Sequence, residues 1–317
     1  MGGRTKLLTL ALLLAGLVVV PFFLTGYRLR FLTWLLMWIG LASSWNLFSG
    51  YTGYINFGPV AFFGLGAYGT AVLMVKAGIS FFPALLAAAL LAGIIAFIVG
   101  LPTLRLRGAY FAIATLAFSE ATRSLTLILS GLTEGGKGLM LPIYNNAYFF
   151  YFVILGLTGA LIATVALIQR TRFGITLVSI REDEVASQVL GVNTFLNKLA
   201  AFGLSGVFLA LYGGIYAYWQ TFIEPGEVFN VLYSVQMLVM TFLGGSGTVL
   251  GPIAGAIILG TMTEYLWATF TYVYLIFVGL LIVATVLFLP DGAWGYCVQA
   301  QSRRKRRARA RAAPVLE

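Results

Sequence analysis

Residues 83–101 read PALLAAALLAGIIAFIVGL, nineteen residues without one charged or hydrogen-bonding side chain. A run of that length matches the roughly 30 Å hydrocarbon core of a bilayer, which needs about 20 apolar residues as a helix, and it is too long for a buried strand. Similar apolar runs lie on both sides of it, between Gly, Pro or charged breakers, at about 6–24, 31–49, 56–75, 109–130, 148–168, 198–218, 229–243, 249–268 and 272–289. Together these are about ten candidate spans and predict an all-α, polytopic membrane fold. The runs at 56–75, 229–243 and 249–268 carry Gly or Pro in or beside them, which marks them as candidates for broken or re-entrant helices.

Composition leads to the same class. Of 317 residues 60% are hydrophobic and only 9% charged, with a mean hydropathy of +0.96, whereas soluble domains are about 25% charged. The 37 glycines suit close helix packing. The chain has no histidine and a single cysteine, Cys297. An intramolecular disulfide, imidazole ligation and His-based acid/base chemistry are therefore excluded, which argues against an enzyme. Met1–Val20 has a basic start and an apolar core, but Val18-Val19-Val20-Pro21 is a poor cleavage site, so it reads as a retained first span.

Loop charge sets the expected orientation. With the N-terminus inside, Arg4, Lys6, Arg105, Arg107, Arg170, Arg172, Arg181 and Lys198 lie inside, eight bases against the four outside, Arg28, Arg30, Lys76 and Lys137. The tail from Arg303 to Arg311 adds seven more bases inside. Both termini are therefore expected on the cytoplasmic side. The expected organisation is one transmembrane domain over 1–302 and a basic, disordered tail over 303–317 that serves as a topology signal on anionic lipid rather than as a nucleic-acid site.

The exception to short connections is QRTRFGITLVSIREDEVASQVLGVNTFLNK, residues 169–198. Ser179 precedes Glu182 by three, a capping-box spacing, with Glu182, Asp183 and Glu184 in the first turn, where carboxylates favour the helix dipole. Val185, Val189 and Leu190 share a face, and Gly191 is a natural stop. A short amphipathic helix over 181–191 is predicted, too short to be stable without docking on something.

Within the spans, Glu120 and Arg123 stand three apart near the middle of 109–130, flanked by Ser119 and Thr122. Each is expensive against lipid, so they are expected to pair, and they are candidates for a pathway or gate. Asn46 and Asn56, around the Gly-rich stretch 50–69, and Gln236 are further candidates for lining a substrate path. Gly58-Pro59-Val60-Ala61 recurs in type as Gly251-Pro252-Ile253-Ala254, which hints at an internal parallel repeat. Outer-loop charges at Glu134, Lys137, Glu224 and Glu227 are candidates for meeting an external protein.

Six segments carry a resemblance: GYTGYINFGPVAFFGLGAYGT (50–70), LRLRGAYFAIATLAF (104–118), LTEGGKGL (132–139), the stretch 172–206, FLGGSGTVLGPIAGA (242–256) and LFLPDGAWG (287–295). In this order the chain resembles the LivM-type permease subunits of branched-chain amino acid ABC importers, although Pro59 stands where members often carry His. The resemblance implies a bacterial or archaeal inner-membrane permease. It implies as partners a LivH-like sister permease, two LivG/LivF-like cytoplasmic ATPases and an extracytoplasmic solute-binding protein. The coupling helix would comprise Ser179, Arg181, Glu182, Asp183, Glu184, Val185, Val189, Leu190 and Gly191. The chain lacks the phosphate-loop pattern GxxxxGK followed by Ser or Thr, so no cofactor is expected on it and ATP-Mg would sit on the ATPases. A related importer for urea, amides or small carboxylates is the nearest alternative, and a stand-alone secondary transporter the alternative from another class.

Overall fold

The computed structural model describes residues 16–269 and Gly279. The start of the first candidate span, the tenth span at 272–289, the segment 287–295, Cys297 and the tail at 303–317 lie outside the described residues. The main helices are α1 (Tyr27–Trp45), α2 (Pro59–Val75), α3 (Phe81–Thr103), α4 (Ala109–Ile128), α5 (Ala147–Arg170), α6 (Arg172–Glu182), α7 (Glu184–Val189), α8 (Thr194–Gln220), α9 (Val231–Gly244) and α10 (Gly251–Thr269). Five described helical segments are long and apolar enough to cross a membrane, and six if the bent pair is included, in which α4 turns by 78° into Ser130–Lys137. α2, at 17 residues, is shorter. The apolar run that opened the sequence is α3, extended by two residues at each end.

α8 is the central helix, packed most extensively on α2 and α3 and also against α1. Glycine makes this possible. A Cβ on Gly66 would lie 2.0 Å from the carbonyl oxygen of Ala210, and one on Gly213 would lie 1.9 Å from that of Phe63. The two helices therefore meet backbone to backbone at reciprocal positions, as small residues allow where lipid supplies no hydrophobic drive for association. α9 and α10 form a second tight pair, with Gly244 against Gly251 and Gly255 against Met240.

The described connections gather at two ends of the bundle. At one end α6 meets the segments after α1 and between α9 and α10, and Lys198 at the start of α8 ties α7 to the segment after α3. At the other, two loops join by a short antiparallel ladder, β1 (Leu139–Met140) on β2 (Phe222–Ile223), and Lys76 pairs with Glu134.

The third candidate span, 56–75, is helical from Pro59 onward, and the irregular stretch lies at its start and just before it. After a π-helical turn over Asn46–Gly50, residues 53–58 form no regular secondary structure, and α2 begins only at Pro59. Non-helical backbone is tolerated in a membrane protein only when its polar groups find partners. Here side chains supply them. Gly58 N–H donates to Asn56 Oδ1 (2.7 Å) and Phe57 N–H to Thr115 Oγ1 (3.1 Å). Trp45 Nε1 donates to the Asn56 carbonyl (2.9 Å), and Ser119 Oγ to that of Phe57 (3.3 Å). Pro59 and Pro252 both lie in the first turn of their helices, α2 and α10, where a missing N–H is harmless.

Replacing Gly66 by Val pushes a branched side chain into the backbone of α8, and overpacking of this kind costs about 1–3 kcal/mol or more. The expected outcome is loss of the monodisperse protein peak in detergent or a clear fall in its melting temperature, measured beside Gly159→Val, whose Cβ position is open.

Candidate functional site

The region 169–198 is not a loop with one helix in it. α5 runs to Arg170, α6 follows at once, and the chain breaks at Asp183 before α7. The predicted cap is corrected accordingly. Ser179 lies inside α6 and its Oγ donates to the carbonyl of Thr176 (2.8 Å), so it opens no helix, and Glu182 ends α6 instead of filling a first turn. Asp183 is the cap of α7: its backbone is extended and its Oδ1 accepts from Val185 and Ala186 N–H, both at 2.9 Å. A carboxylate there outcompetes a hydroxyl four residues earlier because it satisfies two free amides at once and faces the positive end of the helix dipole. α6 is capped by Thr171, which accepts from Gly174 N–H (3.4 Å), a signal the sequence reading passed over.

The stop is at Gly191. Its φ is +84°, and Gly191 N–H and Val192 N–H donate to the carbonyls of Gln188 (2.9 Å) and Ser187 (3.1 Å). This is a Schellman closure, which glycine adopts without a Cβ penalty.

Between cap and stop, α7 has two different sides. Val189 and Leu190 are 83% and 84% exposed, and Val185 is exposed with them. Glu184, in contrast, turns inward. Its Oε1 lies 2.6 Å from Lys198 Nζ, with the side chains 13% and 2% exposed. Tyr54 donates its hydroxyl to the other carboxylate oxygen, and Thr194 donates to the first (3.1 Å). The Lys198 ammonium also donates to Tyr54 Oη (3.0 Å) and to the carbonyl of Leu104 (3.3 Å), and it lies 4.4 Å from the Tyr54 ring centroid. Burial pushes the Glu184 carboxyl up, but hydrogen bonds from Lys198 and Tyr54, with the Lys198 charge, outweigh it and hold the group below the ordinary carboxylate value. Because this folded-state value is depressed, the stabilisation is present above the unfolded pKa and is lost as pH falls through the lower, folded one.

Arg181 and Asn46 complete the junction. Arg181 donates from one guanidinium nitrogen to the carbonyls of Gly50 (3.0 Å) and Ser246 (3.3 Å). Asn46 accepts from Gly247 N–H (2.8 Å) and donates to the carbonyl of Thr248 (2.9 Å). The turn after α1, the turn between α9 and α10 and the α6–α7 elbow are thus tied into one assembly.

The other predicted residues fall into separate places. Asn46, Asn56 and Ser119 are buried and engaged in the internal hydrogen bonds described above. Glu120 and Arg123 pair at 3.0 Å on the outer face of α4, with 47% and 41% of their side chains exposed. Gln236 lies apart from all of these, at a cavity between α1, α8, α9 and α10. Sequence reasoning missed Tyr54 and Lys198, since a tyrosine in an apolar motif and a base at a span end carry no sign that they meet.

Comparison with known proteins adds a family. A family model described as the permease component of the branched-chain amino acid transport system matches residues 27–286. The high-affinity branched-chain amino acid transport system permease protein LivM of Escherichia coli K12 is 30% identical over 320 residues, covering 91% of this chain and 75% of that protein. LivM of Salmonella typhimurium is 29% identical over the same coverage. The ribose import permease RbsC of Bacillus subtilis is 26% identical over 186 residues, covering 55% of this chain and 58% of that protein.

Lys198→Met leaves Glu184 as a buried, unpaired charge, and breaking such a pair costs about 3–5 kcal/mol. The double variant Lys198→Met/Glu184→Met removes both charges and is expected to recover a large part of the lost melting temperature, read by thermal denaturation of the purified protein. A double variant as unstable as the sum of the singles would contradict the pairing.

Proposed function

Because the chain belongs to the family of branched-chain amino acid transport system permease components, we infer that it is the membrane-spanning permease subunit of an ATP-driven importer of branched-chain amino acids. Its work is passage and not covalent chemistry. ATP and magnesium are held by two cytoplasmic ATPases of the LivG and LivF kind, and an extracytoplasmic binding protein delivers the substrate. The chain crosses the cytoplasmic membrane of a bacterium or archaeon about ten times, with both termini inside, as the bias of its loop bases supports.

The observation that carries this reading is the α6–α7 elbow, apolar and exposed at its tip, ionic and buried at its root. Val185, Val189 and Leu190 are a docking surface for a groove on one ATPase. Arg181, Asp183 and Glu184 hold that surface rigidly, with Gly191 closing it, so that force on the tip reaches the bundle. Glu184 and Tyr54 then pass it to the irregular segment before α2.

The sister permease covers the outer face of α4. Glu120 and Arg123 stand there half-exposed beside the exposed Tyr110 and Ile113, and each charge facing lipid at mid-bilayer would cost about 2.5–3.5 kcal/mol. A second, LivH-like subunit against this face relieves that cost and places the pair on the wall of the shared path. Asn46, Asn56 and Ser119 act on the path indirectly, by holding the broken span in shape.

Val189→Asp combined with Leu190→Asp changes only exposed side chains. The variant is expected to insert normally yet fail to retain the ATPases through purification, and to lose ATP-driven leucine uptake in reconstituted vesicles. Retention of the ATPases with normal uptake would refute the docking assignment.

A further inference from the structure

At the end of the bundle away from the elbow, a cavity of about 600 Å³ opens between α1, the end of α8, the turn Pro225–Val228, α9 and α10. That volume lies within the range of small-molecule sites, which are typically apolar with a few placed polar groups. Its charged groups are of both signs: Arg30 on α1, Glu227 in the turn and Glu264 on α10. Each carboxylate is oriented by a phenol, Tyr216 donating to Oε1 of Glu227 and Tyr27 to Oε1 of Glu264, which leaves a second oxygen on each. Arg30 makes no ion pair among the described residues.

Two further lining residues carry polar groups. Trp38 is 4% exposed and packs edge-on against Trp34 and Tyr233. Gln236 lines the same wall, and its amide makes no hydrogen bond among the described residues. The deeper wall is apolar, formed by Leu41 and Phe63 with the ring of Trp34.

We propose that this cavity, within a single permease chain, is a binding site for a free zwitterionic α-amino acid with an aliphatic side chain. Arg30 takes the α-carboxylate, the free oxygens of Glu227 and Glu264 take the ammonium, and the apolar depth takes the side chain. A carboxylic acid without an amine meets two unanswered carboxylates, and an amine without a carboxylate meets an unanswered guanidinium. Both ends of the molecule are therefore required. The choice of an amino acid over other zwitterions rests on the importer reading above.

The test is binding of radiolabelled leucine to the assembled permease–ATPase complex in nanodiscs, without the binding protein, with uptake measured in parallel on the same complex in vesicles supplied with the binding protein. Saturable leucine binding is expected. 4-Methylpentanoate and 3-methylbutylamine should compete about thirtyfold or more weakly than leucine, the scale of truncating one partner of a buried charge pair. Arg30→Gln, which removes no internal ion pair, should weaken leucine binding by a similar factor, and Arg30→Lys should restore part of it. Glu227→Gln should act through the ammonium, weakening leucine while leaving competition by 4-methylpentanoate unchanged or improved. Leucine uptake by the wild-type complex without saturable binding, or binding that Arg30→Gln and Glu227→Gln leave unchanged, overturns the site while the importer reading stands. Displacement by glycerophosphoethanolamine but not by leucine also overturns it, in favour of a lipid headgroup. Saturable leucine binding with no leucine uptake sinks the importer reading and leaves the site.

Discussion

The ammonium of Lys198 stands at the foot of the central helix, 2% exposed, and a charge so placed must be surrounded by acceptors or the bundle will not close around it. Those acceptors come from three other parts of the chain: the Glu184 carboxylate on α7, the hydroxyl and ring of Tyr54 before α2, and the carbonyl of Leu104 just beyond α3. One positive charge thus fixes where four segments meet. The remaining contacts at this end register on that arrangement, with Arg181 reaching Gly50 and Ser246, and Asn46 reaching Gly247 and Thr248.

The same contacts fix α7 rigidly on the bundle. α7 has six residues and cannot persist as a helix alone. Asp183 and the glycine closure hold its ends, and the Glu184–Lys198 pair holds its side. With both constraints it behaves as a rigid lug, not a flexible loop. Beyond it lies residues 53–58, whose backbone bonds to Trp45, Asn56, Thr115 and Ser119 instead of to a regular helix. Side-chain bonds of this kind can be exchanged singly, whereas a helical ladder must break cooperatively. The lug therefore abuts the part of the described bundle best able to rearrange.

Close packing sets the opposite boundary. Backbone contact of α2 with α8 at Gly66 and Gly213, and of α9 with α10 at Gly244 and Gly255, leaves no room for side-chain adjustment. The looser packing lies between these pairs, at the elbow junction, at the outer face of α4 and around the cavity toward the far end.

The sequence by itself determined the helical membrane class and the places of the described spans, because lipid imposes one requirement that composition reports directly: about twenty apolar residues per crossing. It determined the stop at Gly191, since a left-handed residue after an apolar turn is a local signal, and the pairing of Glu120 with Arg123, three residues apart on one helix. It misplaced the cap of α7, because Ser179 and Glu182 satisfy a local pattern while Asp183 satisfies two amides at once. Only the tertiary structure decided the fate of Lys198, which reads as one more cytoplasmic base until its partners are seen 14 and 144 residues away. The cavity was equally hidden, with Arg30, Glu227 and Glu264 dispersed along the chain. Burial and pairing belong to the space between helices, and local periodicity carries no record of which helices will share it.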